Sequence, residues 1–445
     1  MNLYQDVFFS TMDFARGRKT ISRLHFLRES QHWTLEKIHN YQLQKLNELL
    51  IQAKQNSSYY NKKLNSVKLP LKSLNNLHEL PILTKKDIRN NQQEIRCSNI
   101  PTTRFVQSRT GGSTGEPMVY YWDKKGMDWN RASVYRSAEW ANTALGEKTV
   151  QMSGSHFDFT QSQNIKNQIV YFLQRYKDLS VAILNDEILE DYYQQVIKFK
   201  PTSIWGYAGG LSIFAEFILD NHADTDFSFL KAIMTSSETL WPKQRKIINQ
   251  AFGGNKVYDQ YGSRELYIAS ECDFHEGYHI HSEIIVVEIV NDEGNSCKPG
   301  EVGKVILTDL TNYAFPFIRY EIGDLAIMGE PQQCKCGLWL PKLRSVEGRT
   351  ADIVTFKDRK LTAPNFTLIF SDRKGVQAFQ IRQKIINELE VAIVPDKDYT
   401  KEFEKYIMES IKSMVPKDTK VTLIKEKEIV PPESGKRRFI ISEIS

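Results

Sequence analysis

The 445-residue chain reads as an α/β protein. A large N-terminal domain of mixed and parallel sheet carries flanking helices and a β-rich subdomain, and a small α+β domain ends the chain. Three observations predict this. Between residues 118 and 262, short apolar runs alternate with helical patterns, the rhythm of a largely parallel sheet with helices on both faces. From about residue 284 the texture turns to strand segments joined by polar turns, the rhythm of antiparallel structure. Beyond "VEGR" (346–349), a hairpin, a helix and a strand follow closely, which places a boundary near Gly348 and divides the chain into 1–348 and 349–445.

The elements follow in order. "TLEKIHNYQLQKLNELLIQAK" (34–54) sets Leu35, Ile38, Leu46, Leu49, Leu50 and Ala53 mostly at helical spacing and predicts a long amphipathic helix. "LPILTKKDIRNNQQEI" predicts a short strand, a cap at Thr84 and another helix. "PMVYYWD" is a strand, "KKGMDWNRASVYRSAEWANTAL" a helix and "KTVQMSGS" a strand. "DEILEDYYQQVIKFKP" is helical, "TSIWGY" a strand and "LSIFAEFILDNHA" a helix. "FLKAIMTSSETL" is a buried strand ending in a loop, "WPKQRKIINQAFG" a helix, and "NKVYDQYGSRE" strand then loop. "IIVVEIV", "GKVILTDL" and "FPFIRYEIGD" are the antiparallel segments. The last unit holds the hairpin "AFQIRQKIINELEVAIV", the helix "KEFEKYIMESIKSM", the strand "KVTLIKE" and the loop "PPESGKRRFIIS". Several loops that follow strands carry unusual residues, and open α/β sheets bind ligands outside the carboxyl ends of their strands.

The composition is ordinary for a soluble protein: 41% hydrophobic and 25% charged, with a net charge of +5. That charge suits a small anionic partner, and no basic stripe points to nucleic acid. The apolar run "LSIFAEFIL" (211–219) is too short for a membrane span, and the N-terminus lacks a secretory pattern. A cytoplasmic location is expected. Five cysteines, an odd number, suggest free thiols or metal ligands and no disulfide framework.

The stretch "SRTGGSTGEPMVYY" (108–121) allows three readings. "GGSTG" fits G-x-S-x-G, but a nucleophile elbow needs a helix straight after the serine, and strand chemistry follows Ser113. A Walker A loop needs Lys then Ser/Thr after its second glycine, and Glu116 and Pro117 stand there. Exposed backbone N–H groups and hydroxyls can still wrap a polyphosphate. On these residues alone, a phosphate cradle and a solvated hairpin remain open.

The ordered set of motifs resembles the adenylate-forming acyl/aryl ligase superfamily. "TGGSTGEP" is similar to its phosphate-binding loop, "YDQYGSRE" (258–265) to its Tyr-Gly-x-x-Glu segment, and "FIRYEIGD" (317–324) to its Arg-Tyr-x-x-Gly-Asp motif. "EGRT" (347–350) resembles its hinge and "PPESGKRR" (431–438) its C-terminal Ser-Gly-Lys loop. The likeness covers nearly the whole chain and lies nearest the phenylacetate–CoA ligase branch, within it the adenylating enzymes associated with capsule and surface polysaccharide.

The resemblance implies a carboxylate attacking the α-phosphate of ATP, then displacement of AMP by CoA thiol or an amine, with a small mobile C-terminal domain. Thr110, Gly111, Gly112, Ser113, Thr114 and Gly115 would hold the β- and γ-phosphates. Ser237, Glu238, Tyr261, Gly262, Ser263 and Arg264 would line the nucleotide, and Glu265 would help ligate Mg²⁺. Asp324 would accept the ribose hydroxyls, with Arg349 near the ribose and phosphate. Lys436 would be the catalytic cation. Trp205, Tyr207, Gly209 and Tyr258 would form the acid pocket. A monomer or homodimer is expected.

Three positions depart from the pattern: Met118 replaces a common lysine, Arg264 replaces a small hydroxyl residue, and Ala351 with Asp352 stands at the hinge. Arg264 would supply the missing charge or hydrogen-bond the adenylate.

Separately, "ECDFH" sets Cys272 and His275 in C-x₂-H spacing, and "QCKCG" sets Cys334 and Cys336 in C-x-C spacing. Three thiolates and an imidazole are a known structural zinc set, and members of this ligase branch resemble the chain here. Reduced, unliganded cysteines are the alternative. His279 and His281 are reserve ligands.

Overall fold

The structure is a computed structural model that describes residues 4–109, 118–152, 170–181, 184–349, 353–357, 360–362, 366, 369–370, 375–430 and 439–444. The long N-terminal helix runs Leu35–Asn56, capped by the Thr34 side chain and burying Ile38, Leu46, Leu49, Leu50 and Ala53. Thr84 caps the Lys85–Asn90 helix in a capping box closed by Asp87. Strands β1 (Phe105–Arg109) and β2 (Val119–Asp123) form an antiparallel hairpin whose connection, 110–117, lies outside the described residues. A strand, not a helix, follows that connection, the wrong context for a nucleophile elbow.

An eleven-stranded sheet forms the centre. Its strands are β3 (Thr149–Met152), β4 (Tyr176–Leu179), β5 (Ser203–Tyr207), β6 (Ala232–Ser236), β7 (Val257–Gly262), β8 (Tyr267–Ser270), β9 (Tyr278–Ile280), β10 (Ile285–Val290), β11 (Val302–Asp309), β12 (Tyr320–Met328) and β13 (Lys342–Arg349). The order is β10-β11-β12-β13-β9-β8-β7-β6-β5-β3-β4. β7 pairs parallel with β6 and antiparallel with β8, so the change of texture read in the sequence is no break between sheets. One sheet changes mode at β7, where a tight turn replaces a helical crossover.

The parallel half buries Val150, Ile204, Ile233 and Val257 against helices Ala208–Asn221 and Pro242–Phe252. Helix Lys124–Trp140 packs beside β8 and against helix Thr20–Ser30. The C-terminal unit opens with the short pair β14 (Ile353–Thr355) and β15 (Lys360–Thr362). β16 (Val376–Gln383) and β17 (Glu388–Pro395) form the expected hairpin; β18 (Lys420–Lys425) and β19 (Ile440–Ser442) flank it in parallel. Helix Lys401–Met414 buries Phe403, Ile407 and Ile411 beneath this four-stranded sheet. Trp241 of the large unit joins that core, its ring 5.0 Å from Phe439. No helix among the described residues is long and apolar enough to cross a membrane.

Candidate active site and metal cluster

The turn after β7 carries the first group of candidate residues. Ser263 folds it: its backbone N–H donates to the Leu266 carbonyl at 2.8 Å, and its hydroxyl accepts from the N–H groups of Glu265 and Leu266 at 3.2 Å each. The Tyr120 hydroxyl donates to the Arg264 carbonyl at 2.6 Å, tying the turn to the hairpin that leads to 110–117. Glu265 is thereby buried at 5% exposure. Its Oε1 accepts from the Tyr320 hydroxyl at 3.2 Å. Burial and the neighbouring Glu265 carboxylate push the Tyr320 hydroxyl well above its ordinary value, so it stays protonated and donates.

A second tyrosine sets the other carboxylate. Tyr261 on β7 donates to Asp324 Oδ2 at 2.8 Å across from β12. Asp324 in turn pairs in register with Arg349 on β13, which puts both motif residues at one end of the sheet. The Arg349 side chain, Thr110 to Gly115 and Lys436 lie outside what the structure describes.

The motif arginine Arg319 does not face this site. Buried, with a left-handed φ of +49°, it turns to Glu288 (Nε to Oε2, 3.1 Å) and donates to the Leu80 carbonyl at 2.7 Å. It staples β10 to the N-terminal segment and so fixes the start of β12, from which Tyr320 reaches Glu265. Met118 is fully buried in the core, while Arg264 exposes its side chain.

On the parallel half, Glu238 Oε2 accepts the Gly209 N–H at 2.8 Å. A Cβ at Gly209 would stand 3.1 Å from that oxygen, so a larger residue would press on the carboxylate. Ser237, beside it, holds a φ of +68°. Trp205 and Tyr258 pack in one cluster with Ala138, Ala141 and Met234. The Tyr258 hydroxyl is drawn to Asp273 at 2.6 Å, a carboxylate that Asn142 also holds. Tyr207 ends β5, opposite Ser236.

Sequence reasoning gave no role of its own to Asp259, the second residue of "YDQYGSRE". It is buried and accepts from Thr235 Oγ1 at 2.6 Å and the Tyr278 hydroxyl at 2.7 Å. Burial, then the nearby Glu271, push its carboxyl up to about 7.

The cysteine cluster assembles with one substitution. Cys272, His279, Cys334 and Cys336 bring four ligand atoms within 4.8 Å of one another. His275, expected from the C-x₂-H spacing, is not among them. It sits in a left-handed turn (φ +50°) and faces Glu271 Oε2 at 3.3 Å. The fourth member is His279, one of the reserve residues, delivered by β9 beside β13. Spacing favoured the nearer histidine; only the strand pairing favours His279.

The donors fit a tetrahedral ion. Zinc–sulfur bonds of about 2.3 Å imply ligand–ligand edges of roughly 3.8 Å. Cys272 Sγ lies 3.9 Å from Cys334 Sγ, and Cys336 Sγ lies 3.3 Å from His279 Nε2. His279 Nδ1 faces the Leu340 carbonyl at 3.4 Å, the outer partner that orients a ligating imidazole. Hydrogen bonds from Cys272 and His279 pull the Cys336 thiol below its ordinary value against its burial, giving it thiolate character.

Comparison with known proteins follows this geometry. Residues 353–443 match the CapK C-terminal domain family. Protein CapK of Staphylococcus aureus is 26% identical over 98% of this chain and 93% of its own length. The phenylacetate-coenzyme A ligase of Thermus thermophilus is 22% identical over 91% of this chain and 96% of its own. A crystal structure of 2-hydroxyisobutyryl-CoA ligase, in the postadenylation state with an acyl-AMP, superposes with a TM-score of 0.72 at 18% identity, covering 94% of this chain and 92% of that one. The fold is that of the adenylate-forming ligases. In sequence the chain is similar to CapK and to the phenylacetate–CoA ligases.

Proposed function

We propose that this chain activates a small carboxylic acid with ATP and passes the acyl group to the thiol of CoA. One observation carries the reading: two motif carboxylates, buried Glu265 and half-buried Asp324, each held by a tyrosine hydroxyl, the first from Tyr320 on β12 and the second from Tyr261 on β7. A deeply buried carboxylate is costly to keep charged without a partner. Glu265, preset in a turn tied to the hairpin that leads into 110–117, and Asp324, oriented by Tyr261, suit a site that receives a cation and sugar hydroxyls.

In the first half-reaction, a carboxylate oxygen of the acid attacks the α-phosphorus, the bond to the bridging β-phosphate oxygen breaks, and pyrophosphate leaves. Thr110 to Gly115 would cradle the leaving phosphates through backbone N–H groups and hydroxyls. Glu265 would hold Mg²⁺, which offsets phosphate charge when bound. Asp324 would accept the ribose hydroxyls. Lys436, carried by a C-terminal domain of residues 349–445, would meet the charge that builds at the α-phosphate. In the second half-reaction, a thiolate attacks the acyl carbon and AMP leaves. Cys272, His279, Cys334 and Cys336 would hold a structural zinc, a closed set with no position for substrate.

The test is acid-dependent exchange of labelled pyrophosphate into ATP, with acids screened by hydroxamate formation. Lys436→Ala should lower exchange about a hundredfold or more. Nucleotide binding with no exchange for any acid would sink the enzymatic reading and leave a nucleotide- or acyl-binding protein. A second reading keeps the activation step and passes the acyl group to an amine or a sugar of surface-polysaccharide assembly, as the resemblance to capsule-associated adenylating enzymes implies. Exchange that proceeds while added CoA yields no thioester would select it.

A further inference from the structure

We propose a second small-molecule site, for a planar aromatic anion, in a cavity of about 440 Å³ at the root of the β1–β2 hairpin. It is separate from the motif carboxylates: neither Glu265 nor Asp324 lines it. Its volume falls within the range of small-ligand pockets.

Charge defines the ligand. Arg23, Lys45, Arg104 and Lys125 face the cavity against only two carboxylates, Asp123 and Glu283. Both carboxylates are already saturated. Asp123 accepts two guanidinium hydrogen bonds from Arg104 and the Lys125 backbone N–H. Glu283 accepts the paired guanidinium nitrogens of Arg136, which is buried behind the cavity, and the Ser30 hydroxyl. Arg104 is itself spent on Asp123 and Lys45 on Glu48 (2.7 Å), so Arg23 and Lys125 supply the cavity's unneutralised positive charge. Arg23 stands out: its guanidinium lies 4.3 Å over the Trp129 ring, and its buried Nε has no hydrogen-bond partner among the described residues.

The walls define the rest. Phe26, Tyr41, Trp129 and Tyr313 line the cavity, with Phe26 and Trp129 edge to face at 5.5 Å. Rings set this way accept a flat apolar body while cations take its charged end. The position also matters. The hairpin ladder runs from Phe105↔Asp123 at the cavity to Arg109↔Val119 beside 110–117. An occupant that contacts Arg104 and Lys125 would steady the root of this hairpin.

The probe is 1-naphthalenesulfonate, titrated calorimetrically into the full chain. It has no carboxyl group to adenylate, so the outcome is independent of the ligase reading. One saturable site is expected, with uncharged 1-naphthalenemethanol bound about tenfold more weakly. Arg23→Gln and Lys125→Gln should each lower affinity roughly fivefold, whereas Lys412→Gln on the distant C-terminal helix should not. Hydrogen exchange of residues 105–109 and 119–123 should slow on binding. No saturable heat, equal affinity for the neutral analogue, or binding untouched by either variant overturns the proposal. Should Arg23→Gln perturb the circular dichroism, the exposed Lys125→Gln decides alone.

Discussion

On the parallel half of the sheet, β3, β5, β6 and β7 bury Val150, Ile204, Ile233 and Val257 among apolar helices. On the antiparallel half and its turns, Glu265, Glu271, His279, His281 and Glu283 are buried. The first half is held by area removed from water, which is non-directional and tolerant of modest change. The second is held by paired polar groups, where losing one partner strands the other. Arg136 shows the difference. Fully buried, it grips Glu283 through both terminal nitrogens and meets His281 Nδ1 at 2.9 Å. The lesson is that chemistry was placed where side chains can be oriented, and bulk stability where they need only be covered.

Four perturbations would break or sharpen that contrast. The largest effect is expected at the cysteine cluster: Cys334→Ser should reduce bound zinc from about one per chain to near none and cost about 4 kcal/mol or more. Elemental analysis with denaturant unfolding measures both, and a metal-free wild type would remove the zinc reading. Next, Arg136→Met should cost about 3–5 kcal/mol by stranding Glu283. Ile204→Val, its counterpart on the parallel half, should cost only about 0.5–1.5 kcal/mol. Equal costs in urea titrations would erase the distinction.

Smaller and more specific is Tyr320→Phe. It removes one hydrogen bond to Glu265 and should lower turnover about tenfold while shifting stability by roughly 1 kcal/mol. A purely structural tyrosine would change melting without touching turnover. The smallest effect is a slope. Asp259 has a folded pKa of about 7, above the ordinary 3.8, so the native state binds the extra proton. Its contribution is fully present below the ordinary value and fades as pH rises through about 7. Melting temperature between about pH 5 and 8 should therefore fall less steeply in Asp259→Asn than in the parent. Parallel slopes would show that Asp259 does not hold that proton.

Much of the fold was legible. Helical spacing from Leu35 to Ala53, the Thr84 cap and the apolar runs at 203–207 and 232–236 all gave elements at the expected places, because local periodicity reports which face is covered. The union of parallel and antiparallel segments into one sheet was not legible, since strand texture says nothing of which edges meet. At the site, "YDQYGSRE" and "FIRYEIGD" marked Glu265 and Asp324. They did not reveal that Arg319 faces away or that Tyr320 and Tyr261 supply the supporting hydroxyls.

The order of elements, the loops that carry hydroxyls and carboxylates, and the three cysteines of the cluster were determined by sequence alone, because each is a matter of residue type and near-neighbour spacing. Tertiary structure alone decided that His279 and not His275 joins Cys272, and that Arg136 closes on Glu283. Those partners stand far apart along the chain or on opposite sides of a turn. Strand register brings them together, and register is set by the packing of the whole sheet.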